Sequence, residues 1–141
     1  MRVEPLNLAG TRNLQQQTAS AAVRDYLESW QALTAAFAQN RAALLDRDFV
    51  GIARQRLGNT MQQQSELGLR TQYRDLGHDI RVVFYSPEGL SLELEDYVEY
   101  DIQLFDHGSS KGLQHMKAKY VVVMTPAETR WRIRVFQAEA Q

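Results

Sequence analysis

From residue 90 to 104 apolar side chains fall on every second position: Leu90, Leu92, Leu94, Val98, Tyr100, Ile102 and Leu104. Between them stand Ser91, Glu93, Glu95, Glu99, Asp101 and Gln103. A period of two over that length predicts an antiparallel strand with one face on a core and the other in water. A single acid, Asp96, interrupts the apolar row. The flanking segments continue the pattern, and their turns set the register. Ser86-Pro87-Glu88-Gly89 fits a type I turn with proline second and glycine at positive φ. That turn sets Phe84 opposite Leu92, Val82 opposite Leu94, Ile80 opposite Asp96 and His78 opposite Val98. A second hairpin over residues 106–112, centred near Ser109, sets Asp101 opposite Lys117 and Glu99 opposite Lys119. A third, on Pro126-Ala127, sets Val122 opposite Trp131, Tyr120 opposite Ile133 and Ala118 opposite Val135. The three turns agree on one face parity, which predicts a four-stranded meander with the even-numbered side chains of residues 90–104 inward.

The first half follows the helical period instead. Residues 1–17 are polar and aperiodic and read as a flexible arm. Thr18 or Ser20 caps a helix reaching residue 39, with Val23, Leu27, Trp30, Leu33, Thr34 and Phe37 on one stripe. Arg24, Asp25, Glu28 and Gln31 occupy its other side. A short turn over residues 42–45 leads to a second helix over residues 49–67. Phe49, Ile52, Ala53, Leu57, Thr60, Met61 and Gln64 lie near one face of it. Gly51 and Gly58 each weaken that helix by about 1 kcal/mol relative to alanine, so tertiary packing must hold it. Gly68 suits the left-handed position past its end. The expected fold is α+β, with N-terminal helices packed on a curved antiparallel four-stranded β-meander. It forms a single cone-like domain over residues 18–138.

Composition removes several function classes. A chain of 141 residues can bury about 68–70% of its unfolded surface in one core. A net charge of −1 with interspersed signs gives no electrostatic case for nucleic acid or an anionic membrane. Cysteine is absent, which excludes disulfides, thiolate metal sites and cysteine nucleophiles. No run approaches the about 20 apolar residues of a membrane span. As given the chain reads as cytoplasmic, and a trimmed form of an exported protein is equally compatible.

The stretch Ala22-Val23-Arg24-Asp25-Tyr26-Leu27-Glu28-Ser29-Trp30-Gln31-Ala32-Leu33 looks like the opening helix of the nuclear transport factor two-like (SnoaL-like) cone-fold superfamily. Trp131-Arg132-Ile133-Arg134-Val135-Phe136 looks like its closing strand. The resemblance is architectural and covers residues 18–138. It implies a concave cavity under the helices and commonly a dimer formed through the open sheet face. In family enzymes such as ketosteroid isomerases, a carboxylate on the cone lining takes a proton from carbon beside a carbonyl. Many members carry a short strand between their second and third helices, and the region after Asn40 shows no such pattern here.

Asp96 is the sharpest candidate for chemistry, and two readings of it stand. By register it points inward between Leu94 and Val98, where burial favours a general base. Alternatively a bulge at Asp96-Tyr97 turns it to solvent. His78, one inward step away, either joins Asp96 as an acid–base dyad or makes a backbone hydrogen bond beside Gly77. Tyr26, Trp30, Leu94, Val98, Tyr100, Tyr120 and Trp131 are expected to line the cavity or to fill it as core. His107 and His115 have no partner at ligand spacing, so no metal site and no cofactor are implied. Residues 108–112 join two strands and do not open a helix, which excludes a phosphate loop. Arg130, Arg132 and Arg134 read as a basic row facing Glu95, Glu99 and Asp101 on an exposed sheet surface, or as the face of a homodimer. One acid without a partner motif favours a non-catalytic module that binds a small apolar ligand or a protein partner. The alternative is a small isomerase- or hydratase-type enzyme with Asp96 as general base.

Overall fold

The computed structural model describes residues 2–4 and 13–139, with side chains from residue 16 onward. The elements are β1 (Arg2–Glu4), α1 (Asn13–Gln39), a short 3-10 helix (Ala42–Leu45), α2 (Gly51–Glu66), β2 (Leu69–Tyr85), β3 (Leu92–Asp106), β4 (Ser109–Pro126) and β5 (Trp131–Glu139). They build the expected α+β architecture: helices on one face of an open antiparallel β2-β3-β4-β5 meander. The three residues of β1 add to the β2 edge in parallel. Most of the expected arm lies outside the described residues. Of its remainder, residues 2–4 are strand and residues 13–17 are helix. Glutamine is a good helix former, and Gln16 and Gln17 sit exposed on the first turns of α1, so the helix needs no apolar stripe there.

α1 buries Tyr26, Trp30, Leu33 and Phe37 against the sheet. Ser29 and Thr34 within it satisfy their hydroxyls on the carbonyls of Asp25 and Trp30, four residues back, at 2.8 and 2.9 Å. Asn40, in the left-handed region at φ 50°, ends the helix and donates its side-chain amide to the Leu69 carbonyl at 3.0 Å. α2 starts at Gly51 rather than Phe49, because Phe49 bridges Ile133 in parallel and carries the chain onto β5. Only Ala53 and Met61 of α2 are buried; Ile52 and Thr60, expected on the inner face, are exposed.

Inward parity holds along β3 from Leu92 to Tyr100, each even residue buried and each odd one half-buried, while Leu90 is exposed. The first hairpin keeps the expected pairs Val82 with Leu94, Ile80 with Asp96 and His78 with Val98. A register shift between Val82 and Phe84 moves Phe84 to Glu93. The second hairpin differs from expectation. His107 and Gly108, both at positive φ (50° and 86°), make a tight two-residue turn of the kind that follows strand twist. A register shift between Leu104 and Phe105 then sets Gly112 opposite Leu104, so Lys117 faces Glu99 and His115 faces Asp101. In the third, a four-residue loop closed by Ala127 N–H on the Arg130 carbonyl at 2.8 Å sets Met124 opposite Ile133 and Pro126 opposite Trp131. A further shift sets Val122 opposite Phe136.

Candidate functional site

Asp96 sits in unbroken ladder between Ile80 of β2 and Tyr120 of β4, with its side chain fully buried. The bulge reading is thus corrected. In the β2–β3 ladder the irregularities lie in the partner strand, between Asp75 and Gly77 and between Val82 and Phe84. Strain from curvature is taken where glycine and exposed Leu76 and Val83 tolerate it. His78 follows the first of these shifts and is also buried.

The two side chains meet. His78 Nδ1 lies 2.6 Å from Asp96 Oδ2, and the same oxygen accepts the Tyr26 hydroxyl at 2.6 Å. The indole N–H of Trp30 donates to the Tyr26 oxygen at 2.8 Å. On its other side, His78 Nε2 lies 2.6 Å from Asp75 Oδ2. Asp75 went unmarked in the sequence because strict alternation sends it to the face opposite His78. The shift after Asp75 returns it to the inner face, where its half-open carboxylate marks the mouth of the network.

Burial works against a charge on His78, but hydrogen bonds to Asp75 and Asp96, reinforced by their charges, push its pKa up to about 9. At neutral pH it is an imidazolium donating from both nitrogens. Burial, then the Asp96 charge, push the Tyr26 phenol well above its ordinary value, so it stays a donor. The Tyr120 phenol is likewise raised, by burial and then by its neighbour Tyr100. Asp96 Oδ1 is buried with no partner among the described residues.

Of the expected lining, Tyr26, Trp30, Tyr100 and Tyr120 converge here, and Leu94 and Val98 flank Asp96 on β3. The Trp30 ring lies edge-on to His78 and Tyr120 with centroids 5.4 Å away, and tilted on Tyr100 at 5.9 Å. Trp131 stands apart: its ring meets Tyr85 and its N–H donates to Asp25 at 2.9 Å. Three surface grooves of about 520, 400 and 500 Å³ lie elsewhere, and none has Asp96 or His78 in its wall.

A second polar cluster lies beside the β4–β5 loop. Buried Asp48 accepts Arg130 Nη2 at 2.7 Å and Arg47 Nε at 3.1 Å, while Arg130 Nη1 reaches Glu28 at 3.3 Å. Ile133 N–H to the Asp48 carbonyl and Val50 N–H to the Ile133 carbonyl, both 2.8 Å, tie that segment to β5. Arg130 is therefore an internal clamp and not part of an exposed basic row. On the outer face His115 bridges Glu99 and Asp101 at 2.7 and 2.8 Å, and Lys119 holds Glu95 at 3.0 Å.

No family model matches the sequence, and a search of the curated proteins found no match. Among solved structures it is similar to the intermembrane space region of the chloroplast protein ARC6, at 17% identity and TM-score 0.74 over 89% of this chain and 96% of that one. It is similar to a Novosphingobium aromaticivorans protein named for scytalone dehydratase, at 11% identity and TM-score 0.60 over 88% of each. A periplasmic fragment of TraM aligns at 14% identity and TM-score 0.59 over 85% of this chain and 98% of the fragment. Among the described residues no helix is long and apolar enough to cross a membrane. Likeness at such identity speaks for fold alone, and the shared α+β architecture is consistent with the expected resemblance to the nuclear transport factor two-like (SnoaL-like) cone fold.

Proposed function

We propose that this chain is a non-catalytic binding module of the cone fold whose ligand is a segment of another protein. The observation that carries the reading is the saturation of His78. A general base needs a free lone pair at working pH, and each imidazole nitrogen here is held 2.6 Å from a carboxylate, Asp96 on one side and Asp75 on the other. The Trp30 ring packs edge-on against the His78 imidazole with centroids 5.4 Å apart, and its indole N–H holds the Tyr26 oxygen at 2.8 Å. Two of the similar structures are parts of larger proteins, a region and a periplasmic fragment, which suits a module.

One observation favours a second reading, a small isomerase- or hydratase-type enzyme: the partnerless Asp96 Oδ1 could accept a proton. A single assay separates the two. Hydrogen–deuterium exchange at the carbon beside the carbonyl of 2-cyclohexenone is followed by NMR with wild type and with Asp96→Asn. The module reading expects no acceleration over buffer from either protein. Exchange accelerated by wild type and abolished in Asp96→Asn would overturn it.

A further inference from the structure

β4 is 18 residues long and β5 only 9. β3 pairs with β4 from Ser109 to Met124 on one side, whereas β5 covers the other side only from Lys119 to Pro126. Along residues 109–118 the other edge of β4 is bare of any described strand, and all but Met116 and Ala118 of these residues are exposed. Ten residues at about 3.4 Å each make an open edge of about 34 Å, lined with unpaired N–H and C=O groups that template a further strand. Beside it lies a groove of about 500 Å³ whose walls include Thr71, Ile102, Leu104, Lys111 and Leu113. Leu113 is 67% exposed and Leu104 36%.

We propose that this edge takes up an extended segment of another protein, with apolar side chains at alternate positions and carboxylates between them. The proposal rests on the binding-module reading and names its partner. Such a segment continues the place of β5, antiparallel to β4, starting where Glu139 faces Lys119. Its backbone completes the ladder and its apolar side chains enter the groove. Charge selects the rest. Neither Lys111 nor Lys117 forms an ion pair with a described residue. The nearby acids are already taken, Glu99 and Asp101 by His115 and Glu95 by Lys119. Carboxylates on the incoming strand supply what these two cations lack.

A second copy of the chain suits the edge less well. Pairing the regular run 112–118 antiparallel to itself sets His115 directly opposite His115. Hydrogen bonds to Asp101 and then Glu99 hold both imidazoles toward the cationic form. Like charges directly opposed across a ladder are destabilising.

The test titrates isotope-labelled protein with a nine-residue capped peptide alternating valine and glutamate, and reads amide shifts and amide exchange. Perturbation and slowed exchange confined to residues 109–118 are expected. Lys117→Glu, checked for an otherwise unchanged spectrum, is expected to weaken that peptide about fivefold and to favour a valine–lysine peptide. Perturbation centred on Trp30 and Tyr100 would overturn the edge assignment while leaving the module reading standing. No perturbation at any site would overturn the edge assignment. So would a peptide-free dimer, seen by sedimentation, that protects residues 112–118.

Discussion

Raising the pH from about 6 to about 9.5 is expected to cost this protein about 3 kcal/mol of stability through His78 alone. The imidazole ordinarily titrates near 6.5; here, against the opposition of burial, Asp75 and Asp96 push it up to about 9. A group whose proton is held more tightly in the folded state stabilises the fold fully below its unfolded pKa. That contribution is lost as pH rises through the folded value. The window therefore runs from 6.5 to about 9, and at about 1.4 kcal/mol per pH unit it amounts to about 3 kcal/mol. The groups facing His78 are Asp75, Asp96 and the Trp30 and Tyr26 rings. Tyr26 stays neutral across the window because its own pKa is raised. Guanidinium unfolding followed by tryptophan fluorescence at half-unit pH steps measures the slope. His78→Gln is expected to start less stable at pH 6 and to lose most of the decline. His115→Gln, which removes the exposed histidine also raised by carboxylates, is expected to keep the decline. A wild-type stability flat from pH 6.5 to 9, or an equal decline in His78→Gln, would refute the assignment of a buried imidazolium.

Asp48→Ala removes the carboxylate that holds Arg130, whose side chain is only 14% exposed. Leaving that cation without its shortest partner is expected to cost about 3 kcal/mol or more by urea unfolding, and a loss under about 1 kcal/mol would refute the clamp. Gly68→Ala is expected to cost about 1–3 kcal/mol in thermal unfolding, since alanine is strained at φ +73° and its Cβ meets the His107 ring. In a His107→Ala background the steric part should vanish and the backbone part of about 1 kcal/mol should remain.

The parts of the fold legible in the sequence are those where one local rule operates alone. Period-two alternation fixed which face of β3 is buried, because Leu92, Leu94, Val98 and Tyr100 have no competing place to go. The first hairpin was legible in part: proline second and glycine fourth mark the turn, closed by Gly89 N–H on the Ser86 carbonyl at 2.9 Å. Its loop is one residue longer than the three expected, with Tyr85 opposite Leu92, and the shift at Val83 restores the expected pairs from Val82 inward. Backbone N–H groups of Leu90 and Ser91 add bonds to the Ser86 hydroxyl, both at 3.0 Å. The later hairpins also slipped in the reading. Residues 106–112 hold two glycines and a histidine able to adopt positive φ, so several turns satisfy the same letters. Around Pro126 the loop length is set by the pull of Arg130 toward Asp48 and of Trp131 N–H toward Asp25, contacts more than 80 residues apart in sequence.

The candidate site shows how one unpaired residue changes the chemistry that register alone suggests. The approach of His78 to Asp96 follows from the first hairpin together with the shift at Val83, which sets Ile80 opposite Asp96 and His78 opposite Val98 so that adjacent strands carry both even positions inward. Taken alone, that pair is an acid–base dyad with one imidazole nitrogen free to work. The extra residue Leu76 shifts the parity of β2 below Gly77 and turns Asp75 to the same face three positions before His78. With a carboxylate on each nitrogen, the proton that a catalytic histidine would exchange is held from both ends. The same bulge that bends the sheet into a cone thereby makes the dyad a buried ion cluster bracing β2 against α1. On the binding-module proposal such a cluster is a fixed wall of the cone, because a buried hydrogen-bonded network rigidifies the elements it joins.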